Sequence, residues 1–382
     1  MASTYRDDDE GTDVFREEFK RYKRKEPPPD FSEVIDFTNE LITNNNCNVI
    51  PFNQTETTKT EPHLFGLRPV NEWKVYYYKT SPGFVFISNP FTAAAQRYWT
   101  HRCLHDYPSR QNVTNLDFIE KQCGINRPDN IWTASENYES GKAQCVVDSL
   151  SFDMRFHINK LRWVTLGYHY NWNDKTYSKD QVSTFPFDLE ILAKYIASVV
   201  GFKEYNPEAA IVNYYHMGST LAGHTDHSEF DHNSPIISFS FGQDAIFLLG
   251  GVTKAVKPAA FHLRSGDICI MAGDSRLCYH AVPRLLPSKH FETSCNARMA
   301  DELAELNLFV HQNTPDSRED SGLSLINSPD CDKINKQIVT TLNSLHWENY
   351  ENFLKESRIN ISVRQVLKVG QSFPDHTNSE VK

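Results

Sequence analysis

AAIVNYY (209–215), IISFSFG (236–242), AIFLLGG (245–251), FHLRSGDICIM (261–271) and CYHAV (278–282) follow one another as short β-branched and aromatic runs, separated by turns holding Gly, Pro, Asp or Ser. Residues of this kind suit a pleated, half-buried surface. Their even spacing, with no long helix between them, predicts a mostly antiparallel sandwich or open barrel. Upstream, WVTLGYHYNW (163–172) reads as a further strand. PFDLEILAKYIASVVG (186–201) places Leu189, Leu192, Tyr195, Ile196 and Val199 on one helical face, with Gly201 as terminator, so it predicts a helix packed on a sheet. Downstream, KINKQIVTTLNSLHWENYENFLK (333–355) predicts a helix in two pieces, followed by the strand RINISVRQVL (358–367).

The N-terminal half is less regular. DVFREEFKRYKRK (13–25) aligns Phe15, Phe19 and Tyr22 on one helical face, stopped by Pro27, Pro28 and Pro29. So short a helix is marginal alone and predicts an arm docked on the main body. Lys20, Arg21, Lys23, Arg24 and Lys25 leave a nucleic-acid hook as the alternative. Residues 40–62 read as a mobile polar loop, GFVFI (83–87) as a strand, and Asn89-Pro90 as the cap and first turn of a helix reaching about His105. Residues 108–160 mix short helices with polar connectors, and 313–333 form a polar insertion. The division that follows is a helical arm over 1–39, an extension packed on the core over 40–149, a catalytic β domain over 150–370 and a disordered tail over 371–382.

With 382 residues, 39% of them hydrophobic, the chain is too long and too apolar for a disordered tail or a small disulfide scaffold. A net charge of −10 argues against a general polyanion coat and leaves a local basic groove open. No run of 18 apolar residues occurs, so no membrane association is expected. MASTYRDDDEGTD lacks a basic start and an apolar run, and the eight cysteines are dispersed without a CxxC pair. Both features predict a soluble intracellular protein with free thiols. No oligomerisation signature and no obligate protein partner are evident.

His224 and Asp226 stand at i and i+2 of an extended segment and face the same way, so both can address one ion. His280 follows a glycine-bounded strand. Two imidazoles and one carboxylate leave three adjacent octahedral positions open, the ligand set of non-haem Fe(II) oxygenases. His101, His105, His169, His216, His227, His232 and His262 compete for such a role; surface or hydrogen-bonded histidines are the plain alternative for each. A structural zinc site lacks a supporting cysteine pair. Arg358, Asn360 and Arg364 share one face of the late strand, and a buried arginine there needs an anion, which a dicarboxylate cosubstrate or an ordinary Asp or Glu would supply. Asn213 and Tyr215 share a face on the strand leading towards His224 and can donate hydrogen bonds to the same organic acid.

NYY (213–215), HTD (224–226), SFSFGQDAIFLLGG (238–251), SGDICIMAGDSRLCYHAVPR (265–284) and RINISVR (358–364) together resemble AlkB-type Fe(II)- and 2-oxoglutarate-dependent dioxygenases. PGFVFISNPF (82–91), LRWVTLGYHYNWNDKTYS (161–178) and FPFDLE (185–190) extend the likeness towards the animal AlkB homologue 1 branch, over nearly the whole chain. The resemblance implies an α+β protein whose catalytic core is a double-stranded β-helix, or jelly-roll, with flanking helices. It implies Fe(II), 2-oxoglutarate and O2 as cofactors, the metal on His224, Asp226 and His280, and oxoglutarate on Asn213, Tyr215, Arg358, Asn360 and Arg364. Arg358 matches the arginine that pairs with the distal carboxylate, and Arg364 the arginine near the iron-side network.

The implied reaction converts oxoglutarate to succinate and CO2 while hydroxylating an N-methyl group, which then leaves as formaldehyde. The implied substrates are 1-methyladenine in tRNA and N6-methyladenine in DNA, presented as a flipped or unpaired base. Oxidation of 5-methylcytosine in tRNA, a protein or small-molecule hydroxylase, and a non-catalytic β scaffold are the alternatives. Tyr168, His169, Tyr170, Trp172 and Tyr177 form a polar-aromatic cluster suited to stacking a base, or else to packing on the sheet. Lys254, Lys257 and Arg264 surround a turn that could meet phosphates, or simply face solvent. A nuclear location is expected, with mitochondrion or cytoplasm as alternatives.

Overall fold

The computed structural model describes residues 13–38, 47–49, 64–123, 127–139, 146–147, 150–151, 155–288, 300–306 and 329–374. The expectations for the loop over 40–62, apart from residues 47–49, which form a strand rather than loop, and for most of the polar insertion after 313 and the tail beyond 374 lie outside the described residues.

In chain order the strands are β1 (Cys47–Val49), β2 (Lys74–Tyr78), β3 (Phe84–Ser88), β4 (Val113–Thr114), β5 (Val146–Val147), β6 (Leu150–Ser151), β7 (Trp163–Asn171), β8 (Thr176–Val182), β9 (Ala209–His216), β10 (Leu221–His224), β11 (Ile236–Gly242), β12 (Asp244–Leu249), β13 (Ala259–Leu263), β14 (Ile268–Met271), β15 (His280–Leu286) and β16 (Ser357–Arg364). The helices used below are α1 (Val14–Lys23), α2 (Ala93–His101), α3 (Asn115–Cys123), α4 (Ile131–Glu139), α5 (Arg155–Lys160), α6 (Phe187–Val199), α7 (Pro329–Ser344) and α8 (Trp347–Leu354).

A large sheet runs β1-β2-β3-β14-β11-β16-β9-β7-β4, with β8 paired to β7; a small sheet runs β10-β15-β12-β13. Each of these ladders is antiparallel. The fold is α+β, but the jelly-roll expectation does not hold: among the described residues neither sheet closes, and no ladder joins one to the other. The physical reason is that the N-terminal half widens the large sheet. β3 pairs with β14 on one flank, while β7 and β4 continue beyond β9 on the other, so the sheet ends in open edges. The small-sheet edge β13 is covered by the N-terminal segment, through Ile35 N–H to Ala260 O (2.8 Å) and His262 N–H to Ile35 O (2.9 Å).

Side-chain alternation sorts the large sheet into two faces. Phe239, Phe241, Ile359, Ile361, Val363, Val212 and Tyr214 face a helical layer contributing Tyr98, Trp99, Leu192, Ile196, Ile338 and Leu354. Phe84, Phe86, Tyr215 and Met271 point the other way and meet Ala245, Phe247, Leu249, Phe261 and Val282 of the small sheet. Each large apolar side chain so buried contributes about 1.5–3 kcal/mol. The inter-sheet face therefore receives Arg358, Asn360 and Arg364 of β16, out of phase with the buried Ile359, Ile361 and Val363.

α1 forms as its periodicity predicts, capped by Asp13, whose carboxylate accepts the Arg16 N–H at 2.8 Å. Phe15 and Tyr22 pack on Ile246, Leu248 and Ala281 of the small sheet. The contact is tight: a Cβ at Gly223 would lie 2.6 Å from the Phe15 ring, next to His224. The basic residues of the arm and of the 254–264 turn are largely engaged by the protein itself. Arg21 pairs with Glu18 and Glu33, Lys257 reaches Glu33 at 3.6 Å, Arg264 pairs with Asp36, and Lys254 lies over the Tyr279 ring. Asn89 does not cap a helix as predicted. Its φ of 24° places it in a turn accepting the Phe91 N–H, and Thr92 caps α2 instead. The four cysteines whose side chains are described, Cys103, Cys269, Cys278 and Cys331, are buried and lie outside any disulfide.

Candidate metal and cosubstrate site

β10 and β15 pair so that His224 and His280 are direct cross-strand partners. Residues opposed in an antiparallel ladder present their side chains on the same face. The two imidazole centroids are 4.3 Å apart. Asp226, two residues beyond the strand, returns to within 3.8 Å of both: its Oδ1 faces His224 Nε2 and its Oδ2 faces His280 Nε2. One potential ligand atom from each residue lies within 4.8 Å of the others. His224 Nδ1 is 3.0 Å from Ala222 O, and His280 Nδ1 is 3.2 Å from Cys278 O. Each Nδ1–H thus donates to a carbonyl, which leaves both Nε2 lone pairs directed at the carboxylate, the tautomer a metal requires.

Burial alone would raise the Asp226 carboxyl, but Arg364, His280, His224 and Arg276 outweigh it and hold the group well below the usual carboxylate range. Burial, with His224 alongside, lowers His280 to about 4, so its imidazole is neutral at physiological pH. Two imidazole nitrogens and an ionised carboxylate converging on one point fit a divalent cation.

β16 supplies the second half of the site from the large sheet. In its ladder with β9, Arg358 opposes Tyr215 and Asn360 opposes Asn213, so these four residues share the inter-sheet face. Arg358 is 1% exposed and donates to Gln243 O (3.1 Å) and Ser240 Oγ (2.7 Å), while its Nε has no partner. Among the described residues no carboxylate forms an ion pair with it, and burial lowers its pKa. A buried guanidinium without a counter-anion is costly, and an organic carboxylate is the class of ligand that would relieve it. Asn360 donates to Ser238 Oγ at 2.8 Å and to Phe239 O at 3.1 Å.

Arg364 behaves differently. Its Nη2 donates to Asp226 Oδ2 at 2.9 Å and its Nε lies 3.1 Å from Glu229 Oε1. Glu229 also receives Arg276 Nη2 (3.0 Å) and the Tyr177 hydroxyl (3.1 Å), and Arg276 Nη1 donates to the Asp226 carbonyl at 2.5 Å. Two arginines and two carboxylates therefore interlock around the loop carrying Asp226. Sequence reasoning missed Glu229 and Arg276. Glu229 lies three residues after Asp226, and Arg276 lies in the SRL stretch between β14 and β15. Glu229 fell in a polar run, HSEFDHNS, that reads as a loop, and only burial reveals its role. His227 and His232, in the same run, are exposed.

The aromatic cluster divides. Tyr170 and Tyr177 lie 5.2 Å apart, and the Tyr170 hydroxyl is 3.2 Å from Ser228 Oγ, which ties both rings to the metal-side loop. Trp172 is 41% exposed and meets Tyr170 edge-on at 4.9 Å and Trp163 at 5.1 Å. Tyr168 packs on Phe373. His169 is buried on the opposite face, with Nδ1 2.9 Å from Thr165 Oγ1.

Residues 83–364 match the family model described as the 2OG-Fe(II) oxygenase superfamily. This chain belongs to that superfamily. Among curated proteins, the oxygenase is 36% identical to "Nucleic acid dioxygenase ALKBH1" of Mus musculus, over 97% of this chain and 88% of the relative. It is 35% identical to "tRNA demethylase abh1" of Schizosaccharomyces pombe, over 73% and 87%, and 34% identical to "DNA N(6)-methyladenine demethylase ALKBH1A" of Arabidopsis thaliana, over 70% and 79%. It is an AlkB-type, Fe(II)- and 2-oxoglutarate-dependent dioxygenase.

Proposed function

We propose that this oxygenase removes N-methyl groups from unpaired nucleobases, with 1-methyladenine in tRNA and N6-methyladenine in unpaired DNA as its substrate class. In this reading His224 and His280, each through Nε2, and Asp226 through a carboxylate oxygen would hold Fe(II). Arg358 binds the distal carboxylate of oxoglutarate, with Asn213, Tyr215 and Asn360 along the same wall. Bound iron and oxoglutarate supply the oxidising chemistry. The chain's own residues do the positioning: Arg364 and Arg276 keep Asp226 ionised and in one orientation, and the aromatic wall places the methyl group beside the metal face.

The observation that carries the nucleic-acid reading is the run from exposed Trp172 through Tyr170 to Tyr177, whose hydroxyl donates to Glu229 on the Asp226 loop. Flat aromatic faces leading from solvent to a metal-side loop suit a base already out of the stack. The named activities of the relatives from mouse, fission yeast and Arabidopsis support the same class. The test compares a 1-methyladenine stem-loop RNA with an N6-methyladenine bubble DNA in one assay of formaldehyde and succinate. Turnover on either, with succinate matched to formaldehyde, is expected. Succinate formation unstimulated by both, but stimulated by a protein or small-molecule acceptor, would overturn the reading.

A further inference from the structure

A second convergence of ligating side chains lies in the helical layer, apart from the inter-sheet site. Where α2 passes into a π-helical turn (Arg102–Asp106), His101, His105 and Asp106 bring one potential ligand atom each within 4.8 Å of one another, the same limit that the His224–Asp226–His280 group meets. The His101 and His105 rings stack at 4.7 Å with 17° between planes. His101 Nε2 lies 3.8 Å from Asp106 Oδ2, and its Nδ1 is 2.9 Å from the Tyr350 hydroxyl of α8. A polar partner on Nδ1 is what orients a ligating imidazole. His105 Nε2 lies 3.2 Å from Thr133 Oγ1 of α4, and the Asn130 amide donates to His105 O.

The charge balance points to a cation. Arg102 makes two bonds to the buried Asp188 (2.8 and 3.1 Å) and one to Asp106 (2.5 Å). One guanidinium thus faces two carboxylates. Asp188 alone keeps Arg102 paired, so Asp106 can turn an oxygen to a metal without stranding the arginine. Asp106 Oδ1 is now shared with His105 Nδ1 at 2.7 Å, a contact that a metal would replace.

We propose that His101, His105 and Asp106 form a second divalent-metal site, structural in kind and of the Zn2+ class, fixing the end of α2 to the π-helical turn that continues it. Two imidazoles and one carboxylate suit zinc rather than the all-oxygen shells of calcium or magnesium, and a water completes four-coordination.

Full-length protein stripped of metal, dialysed against Zn2+ and washed into metal-free buffer provides the test, with zinc counted per chain by mass spectrometry. Two equivalents are expected for the intact chain, because the inter-sheet triad also takes zinc, and one each for His105→Ala and His280→Ala. Zinc should still raise the Tm of His280→Ala, and should not raise that of His280→Ala/His105→Ala. A single equivalent in the intact chain, or an undiminished count in His105→Ala, overturns the proposal. Should His105→Ala fail to fold, Asp106→Asn, which keeps the side chain's size, decides: loss of one equivalent supports the site and an unchanged count rejects it.

Discussion

Arg364 and Asp226 are joined across the two sheets by a 2.9 Å hydrogen bond from Nη2 to Oδ2. The contact links a strand of the large sheet to the loop that follows β10 of the small one. Asp226 Oδ2 is thereby held by the arginine, and Oδ1 is the oxygen left nearer His224. The geometry around the carboxylate shapes the expectations below.

Asp226→Ala removes the carboxylate that lies 3.8 Å from both imidazoles. Iron retention should fall at least about tenfold, since a side chain bound directly to the metal contributes more than the 10–100-fold typical of the groups that orient it, and product formation should cease. Iron counted per chain after desalting, beside a formaldehyde assay, checks this; iron and product at the intact protein's level would defeat the assignment.

Arg358→Met should raise the oxoglutarate KM by about 10- to 150-fold, the equivalent of roughly 1.5–3 kcal/mol for a hydrogen bond to a charged group. Methionine fills much of the volume and removes the buried charge, so Tm should hold or rise. An unchanged oxoglutarate response would show that Arg358 pairs with something else.

Glu229→Gln leaves Arg276 and Arg364 facing one carboxylate fewer in a buried network. Breaking a buried pair costs about 3–5 kcal/mol, so Tm should drop and iron should bind less tightly, even though Glu229 is not itself among the proposed ligands. A double-mutant cycle with Arg276→Met measures the coupling; strictly additive effects on stability and on iron affinity would argue that the two residues act separately.

Trp172→Ala should weaken nucleic-acid substrates by about 5- to 150-fold in KM, from the roughly 1–3 kcal/mol that one base–aromatic stack contributes. Succinate formation without substrate should be unaffected, because the ring packs on Tyr170 and Trp163 and not on Arg358 or the His224–Asp226–His280 group. Equal KM values for intact and variant protein would remove Trp172 from the substrate path.

Asp36 docks the N-terminal segment through paired bonds to Arg264 at 2.6 and 2.8 Å. Burial would raise its pKa, but Arg264 and Thr38 outweigh burial and lower it to about 2. A depressed carboxyl stabilises the folded state above its unfolded value near 3.8, and that contribution is lost as pH falls towards 2. Between about pH 4 and pH 2 the intact protein should therefore lose more stability than Asp36→Asn. Parallel Tm profiles for the two proteins across that window would contradict the linkage.

Local periodicity made several elements legible. The faces of α1 and α6, the break between α7 and α8, and the strands around 209–282 follow from spacing that any short segment carries in itself. Asn89-Pro90 misled because a proline-led first turn is a local preference, whereas the cap was settled by Thr92 accepting the Ala95 N–H. The jelly-roll expectation failed because it concerned which strands pair over long range: β3 and β14, about 180 residues apart in sequence, share a ladder that local propensity does not encode.

What the sequence determined unaided was the chemistry on each strand. Arg358, Asn360 and Arg364 in phase follow from the alternation of an extended chain, whereas His224 and Asp226 meet because the chain turns back after β10 ends at His224. What only the tertiary structure decided was register and burial. The β10–β15 pairing sets His280 opposite His224, and the enclosure of Glu229 and Arg276 converts charges that look like a solvated loop into a brace for Asp226. Side-chain direction along one strand is a property of consecutive residues, whereas the partner across a ladder and the loss of water around a charge depend on segments distant in the chain.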